Sequence, residues 1–322
     1  MKEIGGFLEW ETYDGEELHN NCIALNSGRN CLRYLIKTKG IKKIWLPKLL
    51  CSVISDTCQE ENVDILYYSV NKQLRPEIAE SINKDEWLYL INYYGQYNDL
   101  EIKKYAEKYK NVIMDNTHAM YEEPVLGIDT IYTCRKYFGV PDGGYLYTNT
   151  QSDIVIEQDE SYDRIEFLMG RFEKSANEFY KDYRKNEERI DKLPLKRMSK
   201  STHNLLRGIN YSKVKDIRER NFYYLHQKLC KLNELELRIP VGAYMYPLYI
   251  NNGHKLRLIL QRNKIFIPLL WPNVISDLSP DKLEYKLAEN ILPLPCDHRY
   301  NIKDMQYMID LIEKIIMEDK LV

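Results

Sequence analysis

Between residues 22 and 150 short apolar runs alternate with stretches of helical spacing, and this alternation restricts the fold more than any other feature of the 322-residue chain. IKKIWLP (41–47), VDILYYS (63–69), EWLYLINYYG (86–95), NVIMD (111–115), IDTIYTC (128–134) and GYLYTN (144–149) read as strands, being short, apolar and rich in β-branched or aromatic residues. The intervening residues 31–39, 49–59, 75–82 and 100–109 carry the apolar spacing of amphipathic helices. Strands alternating with helices predict a mostly parallel sheet covered by helices on both faces. Right-handed crossovers then bring ligands to the strand C-terminal ends.

Beyond residue 150 the pattern changes. Residues 161–200 are charged and aromatic and predict one or two long surface helices ending near Pro194; residues 212–232 predict another. Strands near 245–250 and 264–269, with helices near 253–262, 280–289 and 302–317, predict a compact α+β unit. The expected division is a large α/β domain over 1–200, containing an N-terminal segment and the helical insertion 161–200, and a smaller C-terminal α+β domain over 201–322.

Charge and cysteine usage narrow the function classes. Lys+Arg 46 against Asp+Glu 48 gives a net charge of -2 and no general basic field for nucleic acid. The 7 cysteines are scattered without a CxxC pair, which fits reduced thiols in a cytoplasm and neither a disulfide framework nor a metal site. No apolar run approaches the ~20 residues of a membrane span, and no GxGxxG, P-loop, HExxH or GxSxG motif is present.

Three features fall at the ends of predicted elements. Asn26-Ser27-Gly28-Arg29-Asn30 precedes a helix, so free N–H groups and the helix dipole form either an anion cradle or simply a cap. Asp115 ends a predicted strand and is followed by Asn116-Thr117-His118; it stands where ligands bind, or caps the next turn. Thr133-Cys134-Arg135-Lys136 follows another strand and leads into Val140-Pro141-Asp142-Gly143-Gly144. Lys136 is then either an amine able to form a Schiff base or a solvated charge, and the Gly pair a turn. In that order on one sheet, the three match the needs of pyridoxal phosphate: a phosphate anchor, a counter-charge for the ring nitrogen, and an amine.

On these residues the chain resembles the fold-type-I pyridoxal-phosphate enzymes, and among them the sugar aminotransferases named after DegT, DnrJ and StrS. ALNSGRNCLRYLI resembles the family's phosphate segment, IWLPKLLCSVI its strand and Pro-led turn, INYYGQYND its Tyr-Gly loop and VIMDNTHAMYE its Asp-x-x-His/Gln segment. RKYFGVPDGGYLYTN resembles the Schiff-base segment, with Lys136 six residues before Asp142 and seven and eight before Gly143 and Gly144. ENILPLPCDHRYNIKDM resembles the closing segment. The resemblance implies that Lys136 is catalytic, that Asp115 pairs with the pyridine nitrogen and that His118 lies beside the ring hydroxyl. It further implies that Ser27, Gly28, Arg29 and Thr133 meet the phosphate. Tyr93 and Tyr94 are expected in the substrate pocket, and Arg197, in KRMSKSTHNLL, is expected to reach the neighbouring subunit's site. Cys51 stands where the family carries the aromatic that stacks on the cofactor, four residues after the turn proline.

The function implied is transamination of a nucleotide-linked keto-sugar, with an amino acid such as glutamate as donor, in surface-polysaccharide or amino-sugar synthesis. The expected protein is a cytoplasmic homodimer with shared active sites, bound to neither nucleic acid nor membrane. The departure at Cys51 keeps two alternatives in view: a protein of this fold with a binding or regulatory role, and a related pyridoxal-phosphate reaction without efficient transamination.

Overall fold

The computed structural model describes residues 4–79, 81–150 and 152–318. In chain order, β1 (Ile23–Leu25) leads into α1 (Gly28–Lys39), and β2 (Lys43–Pro47) into α2 (Ser52–Glu60). Then come β3 (Asp64–Val70), β4 (Pro76–Glu77), β5 (Trp87–Ile91), α3 (Asp99–Lys108), β6 (Val112–Asp115), β7 (Asp129–Thr133) and β8 (Gly144–Tyr147). Helices α4 (Glu166–Glu173), α5 (Tyr180–Asp191), α6 (Lys200–Arg207) and α7 (Tyr211–Leu229) follow. The chain ends with β9 (Met245–Tyr249), α8 (Gly253–Arg262), α9 (Pro272–Asp277), α10 (Leu283–Asn290), β10 (Ile291–Pro295) and α11 (Ile302–Met317).

Eight strands form one sheet in the order β1-β8-β7-β6-β5-β2-β3-β4. Its centre, β3-β2-β5-β6-β7, is parallel, whereas β8 runs antiparallel to both β7 and β1. The central strands KIWLP, WLYLI and VIMD are buried almost throughout, which is why they read as unbroken apolar runs rather than alternating ones. The six strands expected before residue 150 all form. Two reversals of direction at the edge, β7 to β8 and β8 to β1, return β1 to the orientation of β7. The C-terminal ends of β1, β5, β6 and β7 therefore lie at one edge of the sheet.

Two expectations fail. Residues 75–82 form no helix among the described residues, which exclude residue 80: Pro76–Glu77 pairs antiparallel with Ser69–Val70. Tertiary contacts override the helical spacing, because the Arg75 guanidinium donates to Glu101 and to the Gln96 carbonyl and lies 4.1 Å over the Tyr97 ring. Residues 264–269 form no strand either. Ile265 and Ile267 point inward and Phe266 outward, as in a strand, but Lys264 has φ 63 and the segment finds no ladder partner. The partner of β9 is instead β10, with Pro247 and Pro293 opposite one another in the two-stranded ladder. This small sheet packs with Phe222 and Leu225 of α7, Leu256 and Leu260 of α8, and Ile309 and Ile312 of α11 in a second core.

Candidate active site

The strand register assembles the site. Gly144 of β8 stands opposite Leu25 on one side and Thr133 on the other. The turn into α1 and the turn after β7 therefore flank the same glycine. An added Cβ at Gly144 would lie 2.7 Å from the Ser27 carbonyl carbon and 2.8 Å from the Gly28 nitrogen, so the strand can approach the helix start this closely only without a side chain. Gly143 has φ 115, a conformation that L side chains rarely adopt, and its N–H donates to the Asn26 carbonyl at 2.9 Å. The Gly pair thus seats the start of α1.

Ser27 caps α1 from extended backbone, and its hydroxyl accepts from the Asn30 N–H at 3.2 Å. The Cys31 N–H goes to the Ser27 carbonyl. Of the orphan donors in this first turn, those of Gly28 and Arg29 find no acceptor among the described residues and remain for a ligand. Gly28 faces Thr133 and Thr117, whose side chains would lie 3.5 and 3.7 Å from a Cβ there. Arg29, expected at the phosphate, turns its guanidinium to Asp191 of α5. Thr133 donates weakly to the Gly143 carbonyl at 3.4 Å.

Asp115 is buried at the end of β6. Its carboxylate accepts from the Tyr89 hydroxyl at 2.8 Å and from the Thr117 N–H at 2.8 Å, leaving further lone pairs open. Lys136 ends a single 3-10 turn after β7 and donates to the Thr117 hydroxyl at 3.2 Å. Its side chain reaches solvent, with the Thr117 hydroxyl and the Tyr244 ring as its near neighbours. Burial lowers the amine's pKa, Arg135 pushes the same way, and Asp115 and Cys51 oppose them. Such a lowering favours the neutral amine that a nucleophile needs.

His118 is buried, stacked on Tyr244 with centroids 4.6 Å apart and planes at 25°. Burial first, and the nearby Lys136 second, hold its pKa well below the ordinary value. Among the described residues its Nδ1 has no hydrogen-bond partner, nor has the buried hydroxyl of Tyr94, whose ring lies 5.3 Å away. Tyr94 has φ 54 in the turn after β5, a left-handed backbone costing roughly 1–3 kcal/mol for a residue of this size, and such strain concentrates at functional sites. Tyr93 beside it donates to the Leu49 carbonyl at 2.5 Å, bracing the turn before α2, and its ring lies 5.7 Å from that of Trp271. Cys51 caps α2 without a side-chain bond, and two aromatic rings from the C-terminal half join the site: Tyr244, 6.0 Å from the Lys136 amine, and Trp271, 6.1 Å from the His118 ring. Arg197 is exposed; its main chain bridges to Leu25 and Gln158, close to the start of α1.

Asp115, Lys136, His118, Ser27, Gly28, Thr133 and Tyr94 thus converge. Asp142, fully buried, belongs to a structural cluster, 3.6 Å from Arg164, which also pairs with Asp159 at 2.9 Å. The sequence reading missed Thr117, Tyr89, Tyr244 and Trp271. Only Thr117 had a local signal, its place two residues after Asp115; the others come into reach through strand register or from over a hundred residues away.

The residues fit pyridoxal phosphate on the structure's own evidence: two unclaimed helix N–H groups beside two threonines, a buried carboxylate with open lone pairs, an accessible amine of lowered pKa, and two buried polar atoms awaiting partners. No family model matches the sequence, and no curated protein matches it. Solved structures do match the fold. A DegT DnrJ EryC1 StrS aminotransferase from Brucella abortus is 14% identical with TM-score 0.62, over 92% of this chain and 86% of that one. NtdA from Bacillus subtilis, solved with bound PMP, is 15% identical with TM-score 0.65, over 93% and 74%. DesI, solved in the presence of its TDP-sugar product, is 12% identical with TM-score 0.64, over 92% and 80%. The chain has the fold of the DegT/DnrJ/EryC1/StrS aminotransferases across most of its length.

Proposed function

We propose that this chain is a pyridoxal-phosphate-dependent aminotransferase acting on a nucleotide-linked keto-sugar, with Lys136 as its catalytic amine. The observation that carries the reading is the short chain Lys136 Nζ to Thr117 Oγ1 (3.2 Å) and Thr117 N–H to Asp115 (2.8 Å), beside the open N–H groups of α1. In this reading the N–H groups of Gly28 and Arg29, with the Ser27 and Thr133 hydroxyls, hold the phosphate. Asp115, oriented by Tyr89 and Thr117, keeps the ring nitrogen protonated. When bound, the cofactor supplies the electron sink through which nitrogen leaves an amino donor and enters a keto group.

Lys136 then moves the proton at the substrate carbon. Its lowered pKa suits that task, since it raises the share of neutral amine, the form that accepts the proton. His118, neutral at pH 7, would offer its unpartnered Nδ1 to the ring hydroxyl without adding a second positive charge beside the amine. Buried rings of Tyr94, Tyr244 and Trp271 exclude water from that side. The sugar class draws on the structural neighbours, DesI among them with its TDP-sugar product.

We read the working unit as a homodimer. Ile4, Phe7 and Leu8 stand almost fully exposed in an N-terminal arm, and the side chain of the exposed Arg197 has no partner among the described residues; both are suited to a second copy. The test of transamination is the donor half-reaction. Protein loaded with pyridoxal phosphate and given glutamate should release 2-oxoglutarate in amount equal to the protein. No release with any amino acid, from protein that binds the cofactor, favours instead a binding or regulatory role or another reaction of the same cofactor.

A further inference from the structure

Helix α5 lays two carboxylates, one turn apart, on two arginines beside the candidate active site. Asp191 pairs with Arg29 and Glu187 with Arg135. Arg29 is the second residue of α1, at the positive end of that helix; its side chain is 9% exposed and its Nε has no partner among the described residues. Arg135 immediately precedes Lys136. Burial brings its pKa down to about 10, and Arg29 pushes in the same direction, so the two guanidiniums feel one another. Like charges packed together at a helix N-terminus repel each other and the dipole, and such a cluster persists only with anions on it. Here α5 supplies them, with Asp56 of α2 as a further carboxylate in electrostatic reach.

The seat of α5 is nevertheless weak. Of its 12 residues only Asn186 and Ile190 are buried, no side chain caps its N-terminus, and both polar atoms of the Asn186 amide lack partners among the described residues. Apolar anchorage is light, from Ile190 and from the Tyr183 ring 5.9 Å from that of Phe167, and ion pairs carry much of the contact: those to Arg29 and Arg135, and that of Arg189 with Asp163. A segment so held opens at low cost.

We propose that Arg29 and Arg135 form an anion subsite beside the α1 N-terminus for a phosphoryl-bearing ligand, and that α5 is its lid, Glu187 and Asp191 standing in for the ligand's oxygens. Ligand and lid then compete. By linkage, whatever loosens α5 tightens the ligand, and the ligand exposes α5.

Titration of the full-length protein with inorganic pyrophosphate, in a calorimeter and with no cofactor or donor present, tests this directly. The E187Q/D191N protein should bind at least 10-fold more tightly than wild type, and adding R135Q should remove the gain. In wild type, pyrophosphate should hasten trypsin cleavage at Arg184, Lys185 and Arg189 of α5; this needs no substitution and stands if a variant fails to fold. Equal affinity in the double variant, or an α5 cleavage rate that pyrophosphate leaves unchanged, overturns the proposal. Binding that R135Q leaves intact also overturns it, because the anion then sits in the N–H cradle alone. A protein that binds no pyridoxal phosphate yet passes these tests would lose the aminotransferase reading and keep this one.

Discussion

His19 illustrates how a single buried residue ties the fold to pH. Its Nε2 lies 2.8 Å from the Met120 carbonyl, which fixes that nitrogen as the donor, and its ring packs 4.1 Å from that of Tyr132. Burial lowers its pKa to about 4, although the bond to Met120 resists. Between pH 6.5 and 4 the unfolded chain therefore binds the proton that the folded chain refuses. The stability this residue contributes is fully present above pH 6.5 and is lost as pH falls through that window, roughly 2 kcal/mol by pH 5. Urea midpoints at pH 7.5 and pH 5 should differ accordingly, and H19Q should shrink the difference; an unchanged slope would remove His19 as its source. At this scale the sequence was readable where chemistry is local: Lys136, Asp115 and His118 stand in recognisable spacings. Tyr89 and Tyr244 were not, since a hydroxyl aimed at Asp115 or a ring laid on His118 is a product of packing.

At the scale of elements, the site depends on the fit of β8 against the start of α1. The spacing of Gly143 and Gly144 from Lys136 was visible in the sequence, but its reason was not: one glycine takes positive φ, and the other admits the main chain of Ser27 and Gly28. G144A should cost about 1–3 kcal/mol, as overpacking against main chain does. It should also weaken pyridoxal phosphate binding more than 10-fold by displacing the N–H cradle. Chemical denaturation and fluorescence quenching measure the two, and a variant of wild-type stability and affinity would contradict the assembly described. The elements misread from sequence, residues 75–82 and 264–269, share one cause. Their apolar pattern was correct, but Arg75 found partners on Tyr97 and Glu101, and Ile265 and Ile267 found a core without a neighbouring strand.

For the whole molecule, the parallel sheet was legible because its strands are buried on both faces, whereas the pairing of β9 with β10 joins segments over forty residues apart and left no local trace. The exposed Ile4, Phe7 and Leu8 lead to an expected solution mass of twice the 38.5 kDa chain by light scattering, falling to the single-chain value in a protein lacking residues 1–10. A monomer at micromolar concentration would deny the shared site. The most direct test of the central claim concerns Lys136. Purified protein mixed with pyridoxal phosphate and reduced with borohydride should carry one cofactor adduct, located on Lys136 by peptide mass mapping, and K136A should carry none. An adduct on another lysine, or no adduct at all, would contradict the account.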